Sequence, residues 1–192
     1  MTAAAQRLWW VRHGPTHAKT MVGWSDLPAD LSDTAQIARL SAHLPHAPVI
    51  SSTLSRAQAT ADAIQGTRPR LADDADLREM HFGEWELKSF PEIEQSHPRL
   101  SRQYWETPGD IQAPGGESWF QTEARVCAAV ARLPQHQDII IVAHFGVILT
   151  QLALALGRDP HSILAQKIDN LSVTRIDNGP AGPSAPLINH LP

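Results

Sequence analysis

Ile139-Ile140-Ile141-Val142-Ala143-His144-Phe145-Gly146 is the stretch on which the fold turns. Four consecutive β-branched residues suit a strand covered on both faces, as in the interior of a parallel sheet. The run stops at His144-Phe145-Gly146 and gives way to a helical pattern over Val147–Leu156. Strand, short turn and helix form the repeating unit of an α/β layer fold. Working outward, Leu8-Trp9-Trp10-Val11 is a second run of strand length, ended by Arg12-His13-Gly14-Pro15. Ser32 or Asp33 caps a helix to about His43, with Ile37, Leu40 and Leu44 on one face and Pro45 beyond its end. Val49-Ile50 is a short strand, followed by a helix over Ser55–Ile64.

The remainder fits the same scheme. Ser118–Leu133 predicts a helix with Phe120, Ala124, Val126, Val130 and Leu133 along its apolar stripe, and Ser172–Ile176 a last strand. Pro91–Gly116, with four prolines, reads as short helices and loop over one face. Asn178–Pro186 reads as a Pro/Gly-rich surface loop, after which Leu187–His190 returns to a sheet edge. The expected architecture is a three-layer α/β/α sandwich with a mostly parallel central sheet and helices on both faces. No linker or repeat divides residues 1–192, so one domain is expected.

Composition narrows the function. The 192 residues carry a net charge of −4, which does not favour a broadly basic nucleic-acid surface. No apolar run reaches the roughly 18–20 residues that span a bilayer. Met1–Gln6 is too short and too weakly apolar for a secretory leader, so a cytoplasmic location is expected. Cys127 is the single cysteine, which excludes an internal disulfide or a cysteine-based zinc cluster; it reads as a small buried residue. The sequence has no Gly-x-Gly-x-x-Gly turn after a strand, no Gly-Lys-Ser/Thr phosphate loop and no Gly-x-Ser-x-Gly elbow.

Two strands end in a histidine, at Arg12-His13-Gly14 and Ala143-His144-Phe145, and a third ends shortly before Ser55-Arg56-Ala57. Ligands in open α/β sheets gather at the carboxyl ends of parallel strands. Arg12, His13, Arg56 and His144 are therefore expected in one pocket. Guanidinium forks match phosphate oxygens in pairs and keep their charge, so a phosphoryl group is the natural ligand.

These residues lie in five ordered blocks. They are Arg12-His13-Gly14-Pro15-Thr16, Ser52-Thr53-Leu54-Ser55-Arg56-Ala57-Gln58-Ala59-Thr60-Ala61, Leu77-Arg78-Glu79-Met80-His81-Phe82-Gly83-Glu84-Trp85-Glu86, Pro114-Gly115-Gly116-Glu117-Ser118, and Val142-Ala143-His144-Phe145-Gly146-Val147-Ile148. Together they resemble the histidine phosphatase superfamily, whose fold is phosphoglycerate mutase-like. The resemblance implies a catalytic set of His13, Glu79, Arg12, Arg56 and His144. His13 would be the nucleophile that holds a transient phosphohistidine. Arg12, Arg56 and His144 would bind the phosphoryl oxygens, with Thr16 helping from the loop. Glu79 would act as acid for the leaving oxygen and base for the attacking water, with Glu84 the competing acid nearby. No metal and no cofactor is implied. Neighbouring arginines disfavour an imidazolium at His13, which suits a neutral nucleophile.

Within that family the sequence favours a phosphomonoester hydrolase of the bacterial α-ribazole phosphatase or broad-specificity type. The block Phe82-Gly83-Glu84-Trp85-Glu86 carries that likeness. A phosphoglycerate mutase is the first alternative and a non-catalytic phosphate-binding module the second. The mutases carry a paired arginine, whereas the matching stretch here offers Arg99 and Arg102, and Lys19 stands where they tend to have Asn. Pro15 replaces the family's usual Glu, and Leu87 its usual Gly after Trp85-Glu86. The expected partner is a small phosphorylated metabolite, with no nucleic acid and no membrane; monomer and homodimer both stay open. Of the other eight histidines none is taken as a ligand, His17 and His81 being nearest the motifs. Pro45 spoils the metal-like spacing of His43 and His46. Trp24, Trp105 and Trp119 read as packing, with an aromatic wall for a substrate ring as the other reading.

Overall fold

The computed structural model describes residues 6–135 and 137–192. The reading of the N-terminus against a secretory leader rests on residues 1–5, which lie outside the described residues. Five strands form one sheet: β1 Gln6–Arg12, β2 Val49–Ser51, β3 Asp138–Ala143, β4 Val173–Gly179 and β5 Gly182–His190, in the order β2-β3-β1-β4-β5. The helices are α1 Thr34–His43, α2 Ser55–Gln65, α3 Phe90–Ser96, α4 Pro98–Glu106, α5 Trp119–Arg132, α6 Phe145–Leu156 and the short α7 Pro160–Ile163. No helix among the described residues is long and apolar enough to cross a membrane.

The β-branched run is the middle of the sandwich. Ile139, Ile140, Ile141 and Val142 are all fully buried. Alternation sends Ile139 and Ile141 into the core with Leu8, Trp10, Val126 and Ile148, and Ile140 and Val142 into the opposite core with Val11, Leu40, Ala57 and Ile64. The first core lies under α5 and α6 and the second under α1 and α2, which makes the three layers. Asp33 caps α1 by accepting from the Gln36 N–H, a contact generally worth about 1 kcal/mol.

Four expectations need correction. The sheet is only partly parallel: β1–β3 and β2–β3 pair parallel, whereas β1–β4 and β4–β5 pair antiparallel. Asn178–Pro186 is not a loop, because β4 and β5 form a hairpin around Pro180 and Ala181. Pro183 and Pro186 are tolerated because β5 is the sheet edge, where part of the backbone N–H row has no strand to bond. Helix α5 buries Trp119, Thr122, Val126 and Ala129, not the face through Phe120 and Ala124. The indole at 119 takes the core position and leaves Phe120 43% exposed. Cys127 is correspondingly half-buried.

Candidate active site

The carboxyl ends of β1, β3 and β2 lie side by side, with Arg12 in register with Ala143 and Ser51 with Val142. Each feeds a site residue directly. His13 follows β1, and its N–H donates to the Ala143 carbonyl (3.1 Å). His144 follows β3 as the N-cap of α6, and Arg56 lies in the first turn of α2 after β2. The topology thus joins positions 13, 56 and 144 at a strand-order switch point. The ring centroids of His13 and His144 are 5.0 Å apart.

The imidazole of His13 is held in one tautomer. Nδ1 lies 2.6 Å from the Gly14 carbonyl, which can only accept, so Nδ1 carries the proton. Nε2 then presents its lone pair, met by the Arg56 Nε–H at 3.3 Å. Asn170 donates to the His13 carbonyl (2.8 Å), and Thr60 Oγ1 accepts from Gly14 N–H while donating to the Arg56 carbonyl. The loop after β1 and the start of α2 are therefore tied together.

Both arginines are anchored by main-chain carbonyls. Arg12 Nη1 donates to Ile168 (2.6 Å), and the guanidinium sits 5.3 Å from the Phe145 ring. Arg56 Nη1 and Nη2 donate to the Ser25 and Gly23 carbonyls at 2.9 and 2.6 Å. His144 is fully buried; its Nε2 lies 2.6 Å from Ser52 Oγ, which already accepts from Leu54 N–H. Where the Ser52 hydroxyl donates to His144 Nε2, the ring carries its N–H on Nδ1. That nitrogen and Arg12 Nε are buried and find no hydrogen-bond partner among the described residues. Unmatched buried donors are costly in a dry protein, and here they suit an anion.

Glu79 is buried opposite, with Oε1 accepting from Met80 N–H (2.9 Å) and Oε2 from Gly146 N–H (3.0 Å). Gly146 permits this approach, since a Cβ there would stand 2.7 Å from Glu79 Oε1. Arg125 holds the segment from behind. It donates to the carbonyls of Asp76, Arg78 and Glu79 and pairs with Glu117.

A cavity of about 320 Å³ opens over these groups. Arg12, His13, Thr16, Arg56 and Glu79 form its polar floor, and Met21, Val22, Phe82, Phe90, Trp105 and Phe145 its apolar wall. His144 stands behind that floor. Trp105 is therefore part of the wall, Trp119 packs in the core, and Trp24 is 37% exposed beside His81. His17 is exposed and pairs with Asp30, and Glu84 is exposed outside the cavity. His43 stacks against His190 at 4.6 Å. Sequence reading missed Arg125, Asn170 and Phe90, and took Trp105 for packing with the aromatic wall as its second reading. The one available signal was an arginine on the inner flank of an amphipathic helix, between Thr122 and Val126.

Burial pushes the His13 imidazolium from the ordinary 6.5 down to about 3, Arg56 and Arg12 adding repulsion and the Gly14 carbonyl opposing it. Burial, then His13 and Arg56, drives His144 the same way. Burial also lowers both guanidinium values, against the attraction of Glu79. An unfolded chain protonates His13 near pH 6.5, while the folded chain resists until about 3. Stability is thus full above 6.5 and falls as the pH drops from 6.5 towards 3. We expect wild type to lose about 2 kcal/mol more than His13→Asn between pH 7 and pH 5 in urea denaturation. Equal losses would disprove a buried neutral imidazole.

Comparison with known proteins agrees with this geometry. The family profile "Histidine phosphatase superfamily (branch 1)" matches residues 8–190. The chain is 29% identical over 177 residues to a protein named probable phosphoglycerate mutase GpmB from Salmonella paratyphi C, covering 87% of this chain and 82% of that one. Among solved structures, Bacillus stearothermophilus YhfR superposes with a TM-score of 0.88 at 26% identity, over 98% of both chains. The α-ribazole phosphatase from Shigella flexneri superposes at 0.82 and 26% identity, over 96% of both. With 183 consecutive residues spanned by the profile and residues of four of the five blocks lining one cavity, this chain belongs to the histidine phosphatase superfamily, branch 1.

Proposed function

We propose that the protein is a metal-independent phosphomonoester hydrolase that works through a phosphohistidine at His13, on a small phosphorylated metabolite, α-ribazole 5′-phosphate foremost. The observation that carries this reading is the fixed lone pair on His13 Nε2 at the floor of a cavity that also holds two guanidiniums and a carboxyl group. In the first step Nε2 bonds to phosphorus, the ester P–O bond breaks, and Glu79 gives its proton to the leaving oxygen. In the second, Glu79 takes a proton from water, the oxygen attacks phosphorus, and the N–P bond breaks to release phosphate. Arg12, Arg56 and the Nδ1–H of His144 stabilise the equatorial oxygens, and Thr16 bonds the phosphate from the loop. Two fixed guanidiniums supply the positive charge that such a transfer requires.

Hydrolysis is favoured over mutase chemistry by the charges in the cavity. Beyond Arg12 and Arg56 no Arg or Lys among the described residues lines it, and Arg99 and Arg102 flank a separate groove along α4. A sugar-acid carboxylate would have no third cation to meet. An aromatic base would instead lie against Phe90 and Trp105, whose rings are 6.0 Å apart. The test is kcat/KM on α-ribazole 5′-phosphate, 3-phosphoglycerate and small sugar phosphates, with a chelator present. Chelator-resistant hydrolysis is expected, fastest on α-ribazole 5′-phosphate. A preference above a hundredfold for another ester would end that substrate assignment. Isomerase activity requiring a bisphosphoglycerate would make the protein a mutase, and no turnover at all would leave a binding module.

A further inference from the structure

Glu86 is half-buried, and no cation pairs with it among the described residues. Its carboxylate is satisfied by backbone instead. Oε1 accepts from the N–H groups of Trp24 (2.8 Å) and Phe82 (3.1 Å). Oε2 accepts from the N–H groups of Gly23 (3.0 Å) and Ser25 (3.2 Å) and from Ser25 Oγ (2.7 Å). The same loop turns its carbonyls the other way, where Gly23 and Ser25 accept from Arg56. One peptide group, the Gly23 carbonyl with the Trp24 N–H, thus has the Arg56 cation at one end and the Glu86 anion at the other. The loop lies so close to residues 80–86 that a Cβ at Gly23 would collide with the Met80 carbonyl and with Glu86. Trp24 Nε1 also donates to the Glu79 carbonyl (2.7 Å), so the loop touches both sides of the cavity floor.

We propose that Glu86 is a positioning residue for phosphoryl transfer: by gripping the N–H groups of residues 23–25 it aims Arg56 at the phosphoryl oxygens and steadies the segment that bears Glu79. The inference rests on the phosphohistidine reading for what Arg56 contacts. A guanidinium out of place loses most where charge develops, so kcat suffers more than KM. The test is Glu86→Gln, which keeps the shape but sets an amide donor against backbone donors. With 4-nitrophenyl phosphate, kcat should fall about 30-fold while KM stays within about threefold, since misplacement of a catalytic group typically costs up to about a hundredfold. The inhibition constant of orthovanadate should rise in step with the fall in kcat. Glu84→Gln, on an exposed neighbour, should change none of these.

A folded Glu86→Gln protein with wild-type kcat and vanadate inhibition would overturn the proposal. So would a fall in activity that only tracked the folded fraction. If Glu86→Gln does not fold, Ser25→Ala removes one hydroxyl donor and should shift kcat and vanadate inhibition the same way by roughly threefold; no shift overturns the proposal. Calorimetric binding of orthovanadate reports the placement of Arg56 without turnover. Failure of the hydrolase reading, seen as an inactive wild type, is thereby told apart from failure of the role of Glu86.

Discussion

His13→Ala is expected to lower phosphomonoesterase kcat by at least about 10⁴-fold, the scale on which nucleophile removal acts in enzymes with covalent intermediates. The argument is geometric. The Gly14 carbonyl holds the proton of His13 on Nδ1, burial and two guanidiniums keep the ring neutral, and Nε2 is left as the unprotonated nitrogen on the cavity floor. Alanine removes that atom and leaves Arg12, Arg56 and Glu79 in place. Phosphate binding should therefore persist while chemistry stops. Rapid acid-free quenching of wild type with radiolabelled substrate should trap an acid-labile phosphoryl group on the protein, and His13→Ala should trap none. Undiminished turnover by the variant, in chelator, would refute the nucleophile.

The part of this site legible in the sequence is the part carried by strand ends. Ile139–Val142 and Leu8–Val11 announce themselves by β-branched and aromatic runs, and parallel register then forces the residues just after them together. His13, Arg56 and His144 follow from that alone. The acid at position 79 does not, because it sits on an irregular segment placed by contacts distant in sequence: Arg125 on its main-chain carbonyl and Gly146 on its carboxylate. Only the family resemblance pointed to it. Glu86 and Arg125 act on main-chain groups of other segments, and no spacing pattern encodes such partners. The hairpin of β4 and β5 was hidden for a different reason, since prolines read as loop wherever edge position is unknown.

The departure at Leu87 has a structural consequence. Where the family places glycine, this leucine has φ 61°, in the left-handed region, and is 52% exposed. A side chain there typically costs about 1–2 kcal/mol. The turn is held against that cost by paired bonds to Met21, from Leu87 N–H to its carbonyl and from its N–H to the Lys88 carbonyl. It delivers Glu86 to loop 23–25 and Met21 to the cavity wall. The local conformation is thus dictated by the site it serves rather than by the residue that occupies it.

Glu79→Gln should separate the two chemical steps. The amide retains the shape of the carboxyl group and can still accept one of the backbone N–H groups of Met80 and Gly146, but it can neither give nor take a proton. For an alkyl phosphate the leaving alkoxide needs that proton, so kcat should fall about 10³-fold, within the usual range for general acid catalysis. Nitrophenolate leaves unaided, so its release in the first turnover should be nearly normal. Water then has no base, and the phosphohistidine persists. Stopped-flow mixing with 4-nitrophenyl phosphate should show a burst equal to the enzyme concentration, followed by a slow steady state; alkyl esters should show no burst. An equal loss for both ester types without a burst would remove Glu79 from proton transfer. Full activity in Glu79→Gln together with a collapse in Glu84→Gln would transfer the role to the exposed neighbour, which the cavity geometry opposes because Glu84 lies outside its lining.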